Sequence, residues 1–119
     1  MKIRIKGNSL RYRLTRPEVG HLVRTGMVEE QVHFGNGVLS YSIKTTPQPQ
    51  LSAEFTGNRI TLYFPQTMLE EWAHTDKVGF EHRPEGLLHL LVEKDFTCLD
   101  KSTEDQSDHY PNPLLKKSV

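Results

Sequence analysis

A single cysteine, Cys98, is all this 119-residue chain carries, so no intramolecular disulfide can staple it. That usage suits a reducing compartment. Nowhere is there a run of about 18 apolar residues, which excludes a transmembrane helix. The charged N-terminus lacks an apolar stretch of the kind a signal peptide needs, so the expected location is the cytoplasm, away from membranes. Net charge is lacking too: 15 basic side chains balance 15 acidic ones. A general nucleic-acid binder is excluded on that ground. At this length one domain with a sizeable core is expected.

The zero balance hides an asymmetry. Residues 1–24 hold Lys2, Arg4, Lys6, Arg11, Arg13, Arg16 and Arg24 against Glu18 alone. Residues 93–108 hold Glu93, Asp95, Asp100, Glu104, Asp105 and Asp108 against Lys94 and Lys101. A basic start and an acidic end in one small chain attract each other.

The basic start has a definite shape. KIRIK-GN-SLRYRL reads as two strands joined by Gly7-Asn8, residues that tolerate the positive φ of a two-residue hairpin. The turn sets Lys6 opposite Ser9, Arg4 opposite Arg11 and Lys2 opposite Arg13. Ile3, Ile5, Leu10, Tyr12 and Leu14 then share the other face. Like charges directly opposite cost roughly 0.2–1 kcal/mol per pair, so something anionic is expected against Lys2, Arg4, Lys6, Arg11 and Arg13. Arg and Lys supply charge-assisted donors to phosphate or carboxylate. The competing reading is a wet outer face offset by the acidic end.

Next, TRPEVGHLVRTG predicts a short helix. Thr15 and Glu18 have capping-box spacing, Pro17 lies in the first turn, and Gly26 is a natural C′ residue. Strands follow in MVEEQVHF and Val38–Thr45, around the turn Gly35-Asn36-Gly37. In the former, Val28, Glu30, Val32 and Phe34 share a face. PQPQ, residues 47–50, is a linker. Then the pattern restarts. LSAEF-TGNR-ITLYF puts Gly57-Asn58 fifty residues after Gly7-Asn8, and Ala53, Phe55, Ile60, Leu62 and Phe64 repeat the first apolar set. A second helix is expected in TMLEEWAHTD, with Thr67 and Glu70 as its capping box and Leu69 and Trp72 matching Val19 and Leu22. Val28 falls on Val78 in the strand KVGFEHR. LLHLLVEKDF reads as a covered central strand, with a short helix as the competing assignment.

The expected fold class is therefore α+β: eight antiparallel strands in two ββαββ units, with two short helices. Eight such strands can close into a barrel, which removes edges. An open sheet with both helices on one face is the alternative. Pseudo-repeats fall at 1–46 and 51–97 within one domain, 1–99, followed by an acidic, proline-containing tail, 100–119.

The opening MKIRIKGNSLRYRLTRPEV, with the late run DFTCLDKSTEDQSDHYPNP, is similar to a small bacterial family with no assigned function. More remotely, the two units resemble the CYTH superfamily of triphosphate-tunnel proteins. That resemblance implies a wide antiparallel barrel gripping a triphosphate and a divalent metal. The superfamily's hallmark is an ExExK run on the first strand, where the glutamates hold metal and the lysine grips phosphate. Here the strand reads Lys2-Ile3-Arg4-Ile5-Lys6. Lys6 can take the lysine place, but Lys2 and Arg4 stand where the glutamates belong. The resemblance thus carries fold and phosphate binding, not metal-dependent hydrolysis.

Remaining chemistry is sparse. Were Mg²⁺ to bind as cofactor, Glu29, Glu54 and Glu81 are the carboxylates of choice, with phosphate oxygens completing its shell. The histidines show no HExxH spacing. Cys98 with Asp105, Asp108 and His109 is a weak ligand set, and nothing nearby in sequence activates the thiol as a nucleophile. The expected function is binding of an anionic, phosphate-bearing small molecule on the basic face; any reaction there would be metal-dependent phosphohydrolysis. The alternative is a protein-interaction or regulatory module whose basic hairpin pairs with an acidic partner or with its own tail.

Overall fold

The structure, a computed structural model, describes residues 1–96. Cys98 and the tail from 100 to 119 lie outside the described residues. The element order is β1 Lys2–Lys6, β2 Ser9–Leu14, α1 Arg16–Thr25, β3 Met27–His33 and β4 Val38–Thr46 in the first unit. The second unit repeats it as β5 Ser52–Thr56, β6 Arg59–Pro65, α2 Gln66–His74, β7 Gly79–His82 and β8 His89–Lys94.

The strands assemble differently from the expected antiparallel barrel. They form two four-stranded mixed sheets, ordered β1-β2-β8-β7 and β3-β4-β6-β5, and no closed barrel is found among the described residues. Each sheet takes one hairpin from each unit. Its central pair is parallel, β2 with β8 in the first sheet and β4 with β6 in the second. The outer pairs are antiparallel.

Burial explains the arrangement. Among the strands, the even-numbered ones carry the buried apolar side chains, apart from Val28 of β3: Leu10, Tyr12 and Leu14; Ile43; Leu62 and Phe64; Leu90 and Val92. β1 and β5 are mostly exposed. Apolar strands gain most by lying inside a sheet, so each hairpin offers its even strand to the other unit's even strand. Both members of such a pair leave their turns in the same direction, so their union is parallel. β8 is the central strand that its apolar run predicted.

Both sheets and both helices share one core. Leu14, Val19, Leu22, Ile43, Leu62, Phe64, Leu69 and Trp72 pack together there. Phe64 meets Trp72 edge-to-face at 5.3 Å between ring centroids, and Phe80 from the other sheet at 5.7 Å. The indole Nε1 donates to the Val78 carbonyl at 3.0 Å, so the one tryptophan of the core is buried without an orphaned donor. Each such apolar side chain stabilises the fold by about 1.5–3 kcal/mol relative to exposure.

The first helix matches its signals. Glu18 Oε1 accepts the Thr15 backbone N–H at 2.8 Å, and Gly26, at φ 81°, closes the helix with its N–H on the Leu22 carbonyl. The second departs from them. β6 runs through Pro65 straight into a helix that starts at Gln66, so Thr67 lies inside the first turn and cannot cap it. The unit correspondence shifts as well. Val28 pairs with Ile43, whereas Phe80 pairs with Val92. Phe80, not Val78, is therefore the counterpart of Val28.

Candidate functional site

The basic hairpin forms in the expected register: Lys2 opposite Arg13, Arg4 opposite Arg11, Lys6 opposite Ser9. Gly7 takes φ 54°, and among the described residues only glycines have positive φ, so Gly7 alone supplies the turn's unusual conformation. Ile3, Leu10, Tyr12 and Leu14 face the core. The cations therefore lie on the outer, solvent face of the first sheet, not inside a tunnel.

Two strands that each carry one glutamate, β8 and β7, continue that face. Across it run the rows Lys2, Arg13, Glu93, Gly79 and Arg4, Arg11, Leu91, Glu81. Glu93 Oε1 lies 3.4 Å from Arg13 Nε and 3.6 Å from Arg11 Nε. Lys2 Nζ reaches Asp95 Oδ2 at 3.2 Å, and Glu81 is bound to His89 at 2.8 Å. Both carboxylates that meet the basic hairpin thus come from one extended stretch, residues 93–95. Arg4 and Lys6 make no ion pair among the described residues. Part of the charge asymmetry in the sequence is resolved locally, by the start of the chain lying beside residues 93–95.

The carboxylates considered for Mg²⁺ do not meet. Glu29 is held by Arg59 at 3.1 Å and Glu54 accepts from the Tyr63 hydroxyl at 3.2 Å, at opposite edges of the second sheet. Glu81 belongs to the first sheet. Among the described residues no three His, Cys, Asp or Glu side chains gather as metal ligands. No helix among them is long and apolar enough to cross a membrane.

A second charged cluster was not foreseen. The Met1 ammonium is clamped between Glu18 and Glu30, and the Tyr41 hydroxyl donates to the Met1 carbonyl at 3.3 Å. Burial alone would lower the ammonium's pKa, but hydrogen bonds to Glu18 and Glu30 and their charges raise it above the ordinary 8.0. Burial likewise works to raise the Glu18 pKa, and the Met1 ammonium and Thr15 outweigh it and bring it below the ordinary 4.5. Glu18 therefore caps α1 with one oxygen and holds the amino terminus with the other. The signal for this lay in β3, where Glu30 interrupts the apolar face formed by Val28 and Val32.

Comparison with known proteins places the chain in a family. The model of a family of unknown function, DUF7009, matches residues 1–114. The chain belongs to DUF7009. The match runs past the described residues through the acidic run, and it carries no link to the triphosphate-tunnel superfamily. No curated protein and no solved structure matches the chain.

Proposed function

We propose that the chain is a non-catalytic interaction module whose basic strip, on the outer face of the first sheet, takes an extended acidic segment of a protein partner. The observation that carries this reading is the pairing of Glu93 and Asp95, two residues apart on one extended backbone, with Arg11, Arg13 and Lys2. An acidic partner strand would repeat that contact on Arg4 and Lys6. Lys2, Arg4 and Lys6 on β1 are all exposed, so they lack the enclosing low-dielectric walls that strengthen a small-anion site. A phosphate-bearing small molecule is the second reading, favoured by the direct apposition of Arg4 and Arg11.

The test is fluorescence anisotropy of a labelled polyglutamate peptide against the full chain, with inorganic triphosphate as a competing probe. Arg4→Glu/Lys6→Glu is expected to weaken peptide binding about tenfold, the equivalent of roughly 1.4 kcal/mol from two reversed charges. Glu93→Gln should strengthen binding by releasing Arg11 and Arg13. Triphosphate binding without peptide binding would transfer the strip to the second reading. Failure of both probes would overturn both readings.

A further inference from the structure

The cations without carboxylate partners lie on an edge strand. The first sheet is ordered β1-β2-β8-β7, so among the described residues β1 is paired on one side only. Its hairpin closes on the Lys6–Ser9 pair, and hydrogen-bonded pairs alternate from there, at Arg4–Arg11 and Lys2–Arg13. Lys2, Arg4 and Lys6 therefore turn their backbone groups toward β2. Ile3 and Ile5 turn theirs toward the unpaired edge. The Ile5 side chain, on the face opposite the cations, is 64% exposed. One edge thus combines unpaired backbone groups, an uncovered apolar side chain and cations at alternate positions. The other side of the hairpin shows how such cations are met. β8 lies along β2 with Glu93 directly opposite Arg13, and this cross-strand pair closes at 3.4 Å. A carboxylate carried on a neighbouring strand satisfies the cation beside it. Arg4 and Lys6 have no such neighbour among the described residues.

We infer that the partner's acidic segment docks as a fifth strand on the free edge of β1, with carboxylates at alternate positions beside Arg4 and Lys6 and an apolar side chain between them beside Ile5. The inference rests on the reading of the strip as an acceptor of acidic segments. It adds where the segment lies, along the edge rather than across the face, and which sequence pattern it carries, acid alternating with apolar. In strand addition the main-chain bonds give affinity and the alternate side chains give specificity. A second copy of β1 is a poor occupant, because antiparallel self-pairing sets cations opposite cations and edge lysines discourage it. The matching edge of the second sheet, β5, also leaves an apolar side chain exposed, Phe55. It bears Ser52 and Glu54 where β1 bears Lys2 and Arg4, so it does not attract an acidic strand.

Two measurements on the full chain test it, with a labelled peptide of alternating glutamate and valine as the probe. Amide hydrogen exchange at Ile3 and Ile5 should slow about tenfold when the peptide is at about ten times its Kd, while Ala53 and Phe55 on the β5 edge exchange as before. Peptide binding that leaves Ile5 exchange unchanged would overturn the inference and leave the strip reading intact. Slowing that appears without peptide as protein concentration rises would assign the edge to a second copy and overturn it too. In anisotropy, the alternating peptide should bind about tenfold more tightly than a peptide of the same composition with its glutamates and valines in two blocks. A paired strand turns alternate N–H groups toward its neighbour. Backbone N-methylation at the valines or at the glutamates should therefore abolish binding in one case and spare it in the other. Equal affinity of the alternating and block peptides, or equal effects of the two methylations, would overturn the edge docking. Absence of binding by every acidic peptide, polyglutamate included, would overturn the strip reading itself.

Discussion

Residue by residue the two sheets correspond, yet their outer faces carry different chemistry. The row Arg4, Arg11, Leu91, Glu81 of the first sheet stands where the second has Glu54, Thr61, Ser42, Glu29. The second face pairs largely within itself. The Arg59–Glu29 ion pair joins β6 to β3 across the intervening β4, whose Ser40 and Ser42 are buried. Ser42 is also within 3.5 Å of the Thr61 hydroxyl. The first face pairs at one end, through Glu93 and Asp95, and leaves Arg4 and Lys6 without a carboxylate among the described residues. One backbone plan thus supports a face whose charges are mostly partnered and one with a run of unpaired cations among the described residues. The side chains decide the difference.

The largest expected effect tests how far the correspondence holds in the backbone. Gly79 and Met27 occupy matching places at the starts of β7 and β3. A Cβ on Gly79 would lie 2.1 Å from the Val92 carbonyl oxygen, so the two strands approach too closely for any side chain. Gly79→Ala should destabilise by about 1–3 kcal/mol or more, whereas Met27→Ala, at a partly exposed site, should cost less than about 1 kcal/mol. Urea unfolding of both variants measures the contrast, and equal losses would break it.

The amino-terminal clamp joins the sheets, through β1, α1 and β3, and it should give stability a pH window. The Met1 ammonium has a raised pKa in the folded chain. Its stabilisation is complete below the ordinary 8.0 and is lost as pH rises through the folded value. Glu18 has a lowered pKa. Its stabilisation is present above the ordinary 4.5 and is lost as pH falls through the folded value. Glu18→Gln should lower Tm most between those limits, by an amount corresponding to about 0.5–2 kcal/mol, the usual range for losing a helix cap. The deficit should shrink at both extremes. Thermal melts across pH check this, and a deficit independent of pH would remove the clamp from the account.

The smallest expected effect lies in the core. Tyr12 matches Leu62 in the repeat, both fully buried. The Tyr12 hydroxyl is buried near the Ser42 backbone but makes no hydrogen bond of good geometry, and burial pushes its pKa well up against that contact. Tyr12→Phe should leave stability within about 0.5 kcal/mol of the parent, or raise it slightly, because an unsatisfied hydroxyl is removed. A large loss on chemical denaturation would mean the hydroxyl is satisfied after all.

Much of the local structure was legible in the residues. The Gly7-Asn8 and Gly57-Asn58 turns, the alternation of Leu10, Tyr12 and Leu14, the Thr15–Glu18 cap and the apolar run of β8 each act over a few residues. They could be read without knowing the rest. The start of α2 was misplaced because Thr67 and Glu70 imitate a cap two residues inside the true start, where Pro65 precedes the helix. The match of Val28 to Val78 failed because strand register is set by pairing with β4 and β8, which no local spacing reveals. The basic strip was legible as a pattern, but its side of the sheet depended on where the core lay. Glu30 was visible as a carboxylate on an apolar face, though its meaning needed Met1 and Glu18 beside it.

By itself, then, the sequence determined eight strands, two helices, two like-ordered units and a cationic hairpin face, because periodicity, turn residues and caps are short-range. Only the tertiary structure decided that each sheet joins hairpins from both units through parallel central strands. Burial of the even strands against one another is a property of the whole chain. The same assembly set Glu93 and Asp95 against the cations of β1 and β2, at the far end of the sequence.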